Sequence, residues 1–324
     1  MKAVVCQAFG GPEVLAIEDR PDPPPPGPGE VQVRLAARGV QYVDVLQMAG
    51  TYQVRPEPPF VPGSEAAGEV VAVGPGVDRF KPRDPVMSRH RTGAWATLAN
   101  VKAEGCDPIP AGLRVEEAAV LRSGHGTAYH ALLQRGRLRD GEWVLVHGAA
   151  GGIGIAAIQI ARLFGGRVIA TASTEAKRAA CLEEGAAHSL DYRGGFVDEV
   201  KRLTAGRGVD IVYDPIGAAV TEESLRCLAY GGRLLILGFL GGGPASIRSN
   251  YLLIKGIEAV GVYMGGFQAN QPEQFAANTR VLLELAAAGK LRPRISHRFP
   301  LKRAAEAVRA VMDRAVIGKA VLVG

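Results

Sequence analysis

The stretch VLVHGAAGGIGIAAIQIARLFGGRVIATAS, Val144 to Ser173, decides the fold. An apolar, β-branched run leads into a glycine-rich turn, a run with apolar residues at helical spacing follows, and a second β-branched run closes the unit. Strand, turn, helix and strand in about 30 residues make a βαβ unit. Within the turn, Ala149-Ala150-Gly151-Gly152-Ile153-Gly154 occupies the place of a G-x-G-x-x-G fingerprint, with alanine for its first glycine. Small residues permit the sharp turn, bare backbone lets a pyrophosphate approach, and Gly154 lets the helix pack closely on the sheet. The helix that starts there offers unpaired N–H groups and a positive dipole end. Ala150, Gly151, Gly152, Ile153 and Gly154 are therefore the expected dinucleotide-binding loop.

On either side of this unit the same pattern continues. From about Gly124 to Met264, apolar strands (WVLVHG, RVIATAS, HSLDY, VDIVYDPIG, GRLLILGF and IEAVGVYM) alternate with helical segments such as TEAKRAACLEEG. That alternation is the signature of an α/β, doubly wound parallel sheet. Before it, short strands are broken by DRPDPPPPGPGE and RPEPPFVPG, so residues 1–123 read as mostly β. After it, PEQFAANTRVLLELAAAGKL reads as a helix, SHRFPL as a strand, KRAAEAVRAVMDRA as a helix and GKAVLVG as a final strand. This tail is expected to return to the first domain, which gives residues 1–123 plus 265–324 for one domain and 124–264 for the other.

Composition narrows the class. With 324 residues, 47% hydrophobic and 22% charged, and a mean hydropathy near zero, the chain can bury two ordinary cores. No apolar run reaches the length of a bilayer span, and the start carries no signal-peptide pattern, so a cytoplasmic location is expected. Cys6, Cys106, Cys181 and Cys227 form no CxxC pair and read as buried thiols. The net charge is +6, but the basic residues are dispersed, which argues against nucleic acid as a partner.

The end of the second strand bears on which dinucleotide is held. An NAD-binding unit would place Asp or Glu there for the ribose hydroxyls. Here the strand ends Thr171-Ala172-Ser173, without a carboxylate, and Lys177 and Arg178 follow within a helical turn. A hydroxyl beside a cation suits a 2′-phosphate and points to NADPH. The alternative is that both cations merely decorate an exposed helix.

PFVPGSEAAGEVVAVGPGVDRFKPRD, GTAYHAL, VLVHGAAGGIGIAAIQIAR, DIVYDPIG and GGRLLILGF together make the chain similar to the medium-chain dehydrogenase/reductase superfamily, in its zinc-independent quinone oxidoreductase (zeta-crystallin-like) branch. The resemblance implies a GroES-like catalytic domain, a Rossmann domain inserted into it, and NADPH in the cleft between them. The positions of the alcohol dehydrogenases' zinc ligands read Gln41, in RGVQYVD, and Ser64, in PGSEAAG. Neither an amide nor a serine hydroxyl is a usual Zn²⁺ ligand, and no metal site is expected. His90, His125, His130 and His147 show no ligand spacing and read as surface or satisfied core residues.

Carried over residue by residue, the resemblance puts Gln41, Asp44 and Tyr52 at the reaction site, with the Tyr52 phenol either bonding the acceptor oxygen or only packing the cleft wall. It puts Thr127 near the nicotinamide and Tyr192 near the adenosine phosphate. Gly217, Gly238 and Phe239 fall where later strand ends line the cofactor. Tyr192 and Phe239 have core packing as their alternative, and the glycines a mere turn.

Without a Lewis acid, hydride delivery suits an electron-poor acceptor better than alcohol oxidation. The expected activity is NADPH-dependent quinone reduction. Reduction of the C=C bond of an enone or enoyl thioester is the first alternative, and a non-enzymatic, nucleotide-bound structural or RNA-binding role is the second. IEAVGVYM, as a last sheet strand, is expected to pair across a two-fold axis in a homodimer.

Overall fold

The computed structural model describes residues 1–324. The chain divides into two compact units: Met1–Arg122 with Arg292–Gly324, and Ser123–Leu291.

In the first unit β1 (Lys2–Cys6) and β2 (Leu15–Asp19) form an antiparallel pair. The long β3 (Glu30–Val40) is followed by the short helix α1 (Tyr42–Met48), then β4 (Glu65–Val73), β5 (Pro85–Arg89), β6 (Leu98–Lys102) and β7 (Cys106–Pro108). Val31, Val33 and Leu35 alternate inward along β3, as the two-residue period requires, and meet Val70, Val86 and Trp95 in one core. Helix α2 (Val115–Tyr129) carries the chain out of this unit and continues into a π-helical turn, His130–Arg135.

The second unit adds β8 (Trp143–Val146), α3 (Gly152–Leu163), β9 (Arg167–Thr171), α4 (Glu175–Glu183), β10 (His188–Leu190), α5 (Val197–Leu203), β11 (Val209–Asp214), α6 (Ala218–Cys227) and β12 (Leu228–Ile236). It ends with α7 (Ser249–Lys255), β13 (Glu258–Gly261), α8 (Met264–Asn270) and α9 (Pro272–Ala287). The sheet order is β10-β9-β8-β11-β12-β13, with every pairing parallel. Strands β8 and β11 are buried at every residue, which is why they read as unbroken apolar runs. Leu145, Ile169, Val212 and Leu234 share a core on one face, and each such buried aliphatic chain contributes about 1.5–3 kcal/mol.

The chain then returns to the first unit with β14 (Ile295–Pro300), α10 (Ala304–Met312) and β15 (Lys319–Val323). That unit's larger sheet runs β14-β15-β3-β4-β5-β7, with β6 also on β3. The return corrects the expected boundary at 264/265. Residues 265–291, including α9, belong to the second unit, and the crossing falls at Leu291/Arg292. There Arg292 donates to Gly112 O at 2.9 Å and lies 3.3 Å from the buried Glu117 carboxylate, which ties the returning chain to the start of α2.

Candidate active site

In the second unit, the residues expected to hold a dinucleotide follow the C-terminal ends of parallel strands, apart from Thr127 on α2. The glycine loop follows β8, Ser173 follows β9, Tyr192 follows β10, Gly217 follows β11, and Gly238 with Phe239 follows β12. In a parallel sheet those ends share one edge, where ligands of doubly wound folds bind.

The loop is built from backbone. Gly151 N donates to Gly148 O at 2.9 Å, and Gly148 sits at φ 56°, in the left-handed region. A Cβ on Gly154 would lie 2.5 Å from Gly148 O and 2.6 Å from Ala149 Cα, so only glycine fits where helix meets turn. Gly151 is the N-cap of α3 and no side chain caps that helix, while Gly151, Gly152 and Ile153 are partly exposed. This cradle of small residues beneath an open helix N-terminus fits a pyrophosphate. Ala150 is buried behind it, 5% exposed.

Strand β9 ends without a carboxylate. Ser173 is half-buried, and Thr174 caps α4 by accepting from Lys177 N at 3.3 Å. Lys177 and Arg178 are both half-buried on the first turn. Arg178 is held by Asp191, Nη1 to Oδ2 at 3.0 Å, and Asp191 also takes Arg193 through both oxygens. The two guanidinium groups hold the Asp191 carboxyl well below the usual range, Arg193 foremost. The sequence shows Arg178 but not its partner, thirteen positions on.

Tyr192 is half-buried and packs on the sheet's apolar core. Gly217 caps α6 at φ 79°, and its N–H donates to Asp214 Oδ1 at 3.1 Å. Asp214 Oδ1 also accepts from Ile216 N at 2.7 Å, and Oδ2 accepts from Thr221 Oγ1. A Cβ on Gly217 would lie 3.0 Å from the Phe239 ring, so the two approach closely; Phe239 is 50% exposed at this edge. One on Gly238 would lie 3.4 Å from Pro215 O. Thr127, half-buried on α2, donates its hydroxyl to Ser123 O at 2.8 Å, one helical turn back.

In the first unit, α1 carries the candidate reaction residues. Gln41 is its N-cap; the Gln41 N–H donates to Asp44 Oδ2 at 2.8 Å, one arm of a capping box. The Gln41 amide donates to Ser64 Oγ at 3.2 Å. Tyr52 is half-buried in the bend after α1. Asp44 departs from expectation: it is 0% exposed, so it presents nothing to a ligand and acts by holding Gln41 at the helix start. Its Oδ1 has no partner. Burial, and then the nearby Glu65 carboxylate, push its carboxyl up to about 7 against the Gln41 N–H and the Lys319 ammonium.

The residues do not fit a zinc ion. No three histidine, cysteine or carboxylate groups converge on one point, and the two former ligand positions, Gln41 and Ser64, hydrogen-bond each other. All four cysteines are buried.

Residues 27–136 match the family described as alcohol dehydrogenase GroES-like domain, and residues 152–282 the family described as zinc-binding dehydrogenase. Quinone oxidoreductase-like protein 2 of Mus musculus is 36% identical over 295 residues, 90% of this chain and 84% of that protein. Among solved structures, the Escherichia coli quinone oxidoreductase complexed with NADPH superposes with a TM-score of 0.92 at 30% identity, covering 100% of both chains. A structure described as an NAD-dependent alcohol dehydrogenase superposes at 0.90 with 34% identity, again over 100% of both chains. With a GroES-like unit, an all-parallel Rossmann sheet and an amide and a hydroxyl at the former ligand positions, the chain is an oxidoreductase of the medium-chain dehydrogenase/reductase superfamily and belongs to its zinc-independent quinone oxidoreductase branch.

Proposed function

We propose that the chain reduces quinones with NADPH, by hydride transfer without a metal. The observation that carries the cofactor half of this reading is the end of β9, where Ser173 stands with Lys177 and Arg178 in place of a carboxylate. A 2′-phosphate gains charge-assisted hydrogen bonds there, whereas the ribose hydroxyls of NADH find no carboxylate at the end of β9, the nearby Asp191 being taken up by Arg178 and Arg193. The bound nicotinamide supplies hydride.

The protein's own groups do the rest. The N–H groups at the start of α3 hold pyrophosphate, and the Gly217 turn, pinned by Asp214, keeps the strand edge open. The Gln41 amide, fixed by Asp44 and Ser64, orients the acceptor, and the Tyr52 hydroxyl donates to the quinone oxygen that gains negative charge. One hydride and one proton turn a quinone into a hydroquinone.

We further propose a homodimer built on β13, the open edge of the sheet. Support comes from Tyr230, Leu253 and Ile254, which are 86%, 83% and 72% exposed. Tyr230 lies against the end of α7, its ring 3.5 Å from where a Cβ on Gly256 would be. An apolar patch near an unpaired strand suits a second copy.

The experiment is NADPH oxidation measured against a panel of quinones and a panel of enones and enoyl thioesters. Turnover of quinones with NADPH favoured over NADH is expected. Turnover confined to the alkenes would replace the substrate assignment, and cofactor binding with no turnover of either panel would replace the enzyme assignment.

A further inference from the structure

His147 is the last residue before the glycine turn, and its side chain takes no direct part in the candidate site. The ring is 1% exposed, yet both nitrogens have partners: Nδ1 lies 2.9 Å from Thr171 Oγ1 and Nε2 lies 2.8 Å from Ser224 Oγ. Phe196 closes over the ring at 4.9 Å between centroids, near edge-on. Thr171 ends β9, just before Ser173. Ser224 sits on α6, whose N-cap is Gly217. The backbone follows the same seam, with His147 N donating to Tyr213 O at 3.1 Å and Ala149 N to Thr171 O at 3.2 Å. One imidazole thus joins the three elements whose ends carry the glycine loop, Ser173 and Gly217.

The partners of the two hydroxyls favour one form of the ring. Ser224 Oγ lies 2.6 Å from Val220 O in its own helix, so its single proton goes there and it accepts from His147. The other acceptor open to Thr171 Oγ1, Val146 O, is 3.4 Å away, so its proton goes to Nδ1. A neutral imidazole has one donor and one acceptor, and the tautomer protonated on Nε2 is the one that leaves each hydroxyl proton on its nearer acceptor, Val220 O for Ser224 and Nδ1 for Thr171. Burial pushes the imidazolium down to about 4, with Asp214 opposing, which keeps the ring neutral at pH 7.

We propose that His147, as the neutral Nε2–H tautomer bridging Thr171 and Ser224, is a positioning residue for the dinucleotide. It sets the spacing between the glycine loop and the strand end that meets the adenosine phosphate. The inference rests on the dinucleotide reading above. A cofactor contacts both places at once, so a shift between them weakens binding without altering the chemistry at the nicotinamide.

The test uses the whole protein. His147→Phe keeps the ring and its packing on Phe196 but removes both hydrogen bonds. Its dissociation constant for NADPH, read by nicotinamide fluorescence, is expected to rise about 10-fold, the equivalent of one hydrogen bond, with kcat changed less than about threefold. His147→Asn restores an acceptor for Thr171 and should fall between the two. Thr204→Val supplies the control: Thr204 is buried in the same unit, just ahead of β11, and bonds Val200 O and Gly208 N. That variant should lose thermal stability while binding NADPH as before. NADPH binding by His147→Phe within twofold of the parent, or a loss matched by Thr204→Val, overturns the proposal. Should His147→Phe fail to fold, ¹⁵N NMR of the unsubstituted protein at pH 7 decides: a proton on Nε2 alone supports the clamp, and one on Nδ1 or on both nitrogens refutes it. If the parent binds neither NADPH nor NADH, the dinucleotide reading itself fails, a result distinct from a failure of the clamp.

Discussion

Asp44→Asn should make the first unit less sensitive to alkaline pH, by an amount the structure sets. The parent carboxyl is raised from an ordinary 3.8 to about 7, so between those values the folded chain holds a proton that the unfolded chain releases. Stability is therefore complete below about pH 4 and falls by about 1.4 kcal/mol per pH unit as pH rises toward 7. Over the whole interval that amounts to about 4 kcal/mol, and between pH 5 and pH 8 to about 3 kcal/mol. Asparagine keeps an oxygen for the Gln41 N–H and carries no charge, so this slope vanishes. Its NH2 brings a fixed cost of about 1–3 kcal/mol where Oδ1 now has no partner, and that cost cancels in the difference between the two pH values. The assay is urea unfolding of parent and variant in a Trp143→Phe background, so that the buried Trp95 reports on the first unit alone. Relative to the parent, the variant should gain about 3 kcal/mol from pH 5 to pH 8. A gap that does not change with pH, or a ¹³C titration placing the Asp44 carboxyl near 4, would refute the reasoning.

Four further outcomes are expected. Lys177→Ala should raise KM for NADPH about 10-fold and leave that for NADH nearly unchanged, and Ser173→Asp should reverse the preference by setting a carboxylate beside the phosphate; steady-state kinetics with both cofactors checks each. Tyr52→Phe should lower kcat about 10-fold if the hydroxyl serves the acceptor, and unchanged kinetics would return it to packing. Activity should survive a strong chelator, with elemental analysis finding no stoichiometric zinc. Leu253→Arg should shift a dimer toward monomer in sedimentation velocity, because it places charge on the apolar patch beside β13.

The Rossmann half was legible because its signals are local. Its central strands, β8 and β11, are buried, largely apolar runs, and the candidate ligand groups follow from where the strands end. The position of α9 was not legible. An amphipathic helix shows that it packs on something, but Leu282 and Ala286 would read the same against either sheet. The clue to the crossing is Arg292, whose partners Gly112 and Glu117 are remote in sequence. The burial of Asp44 escapes the sequence for a related reason. Its burial beside Glu65 and Lys319 depends on a pair of residues 254 positions apart, Nζ to Oε1 at 3.4 Å. Spacing leaves His147 as a surface or a satisfied core residue, and the structure buries it with both nitrogens bonded; what the sequence does not show is that its partners Thr171 and Ser224 lie on two other elements that carry candidate cofactor residues.

The divided first unit imposes an order on synthesis. Residues 123–291 are contiguous and can complete their sheet as soon as they leave the ribosome. Strand β3 cannot, since its Ala37–Val40 edge waits for β15, with Val40 opposite Ala320 and Ala37 opposite Val323. Until then a row of N–H and C=O groups stands open, and Glu65 lacks the ammonium that accompanies it in the finished interior. The half that begins first is thus the half that finishes last. A nascent chain halted before Lys319 carries a finished nucleotide-binding body joined to a sheet still lacking a strand, and it is there that a chaperone or a protease would find its hold.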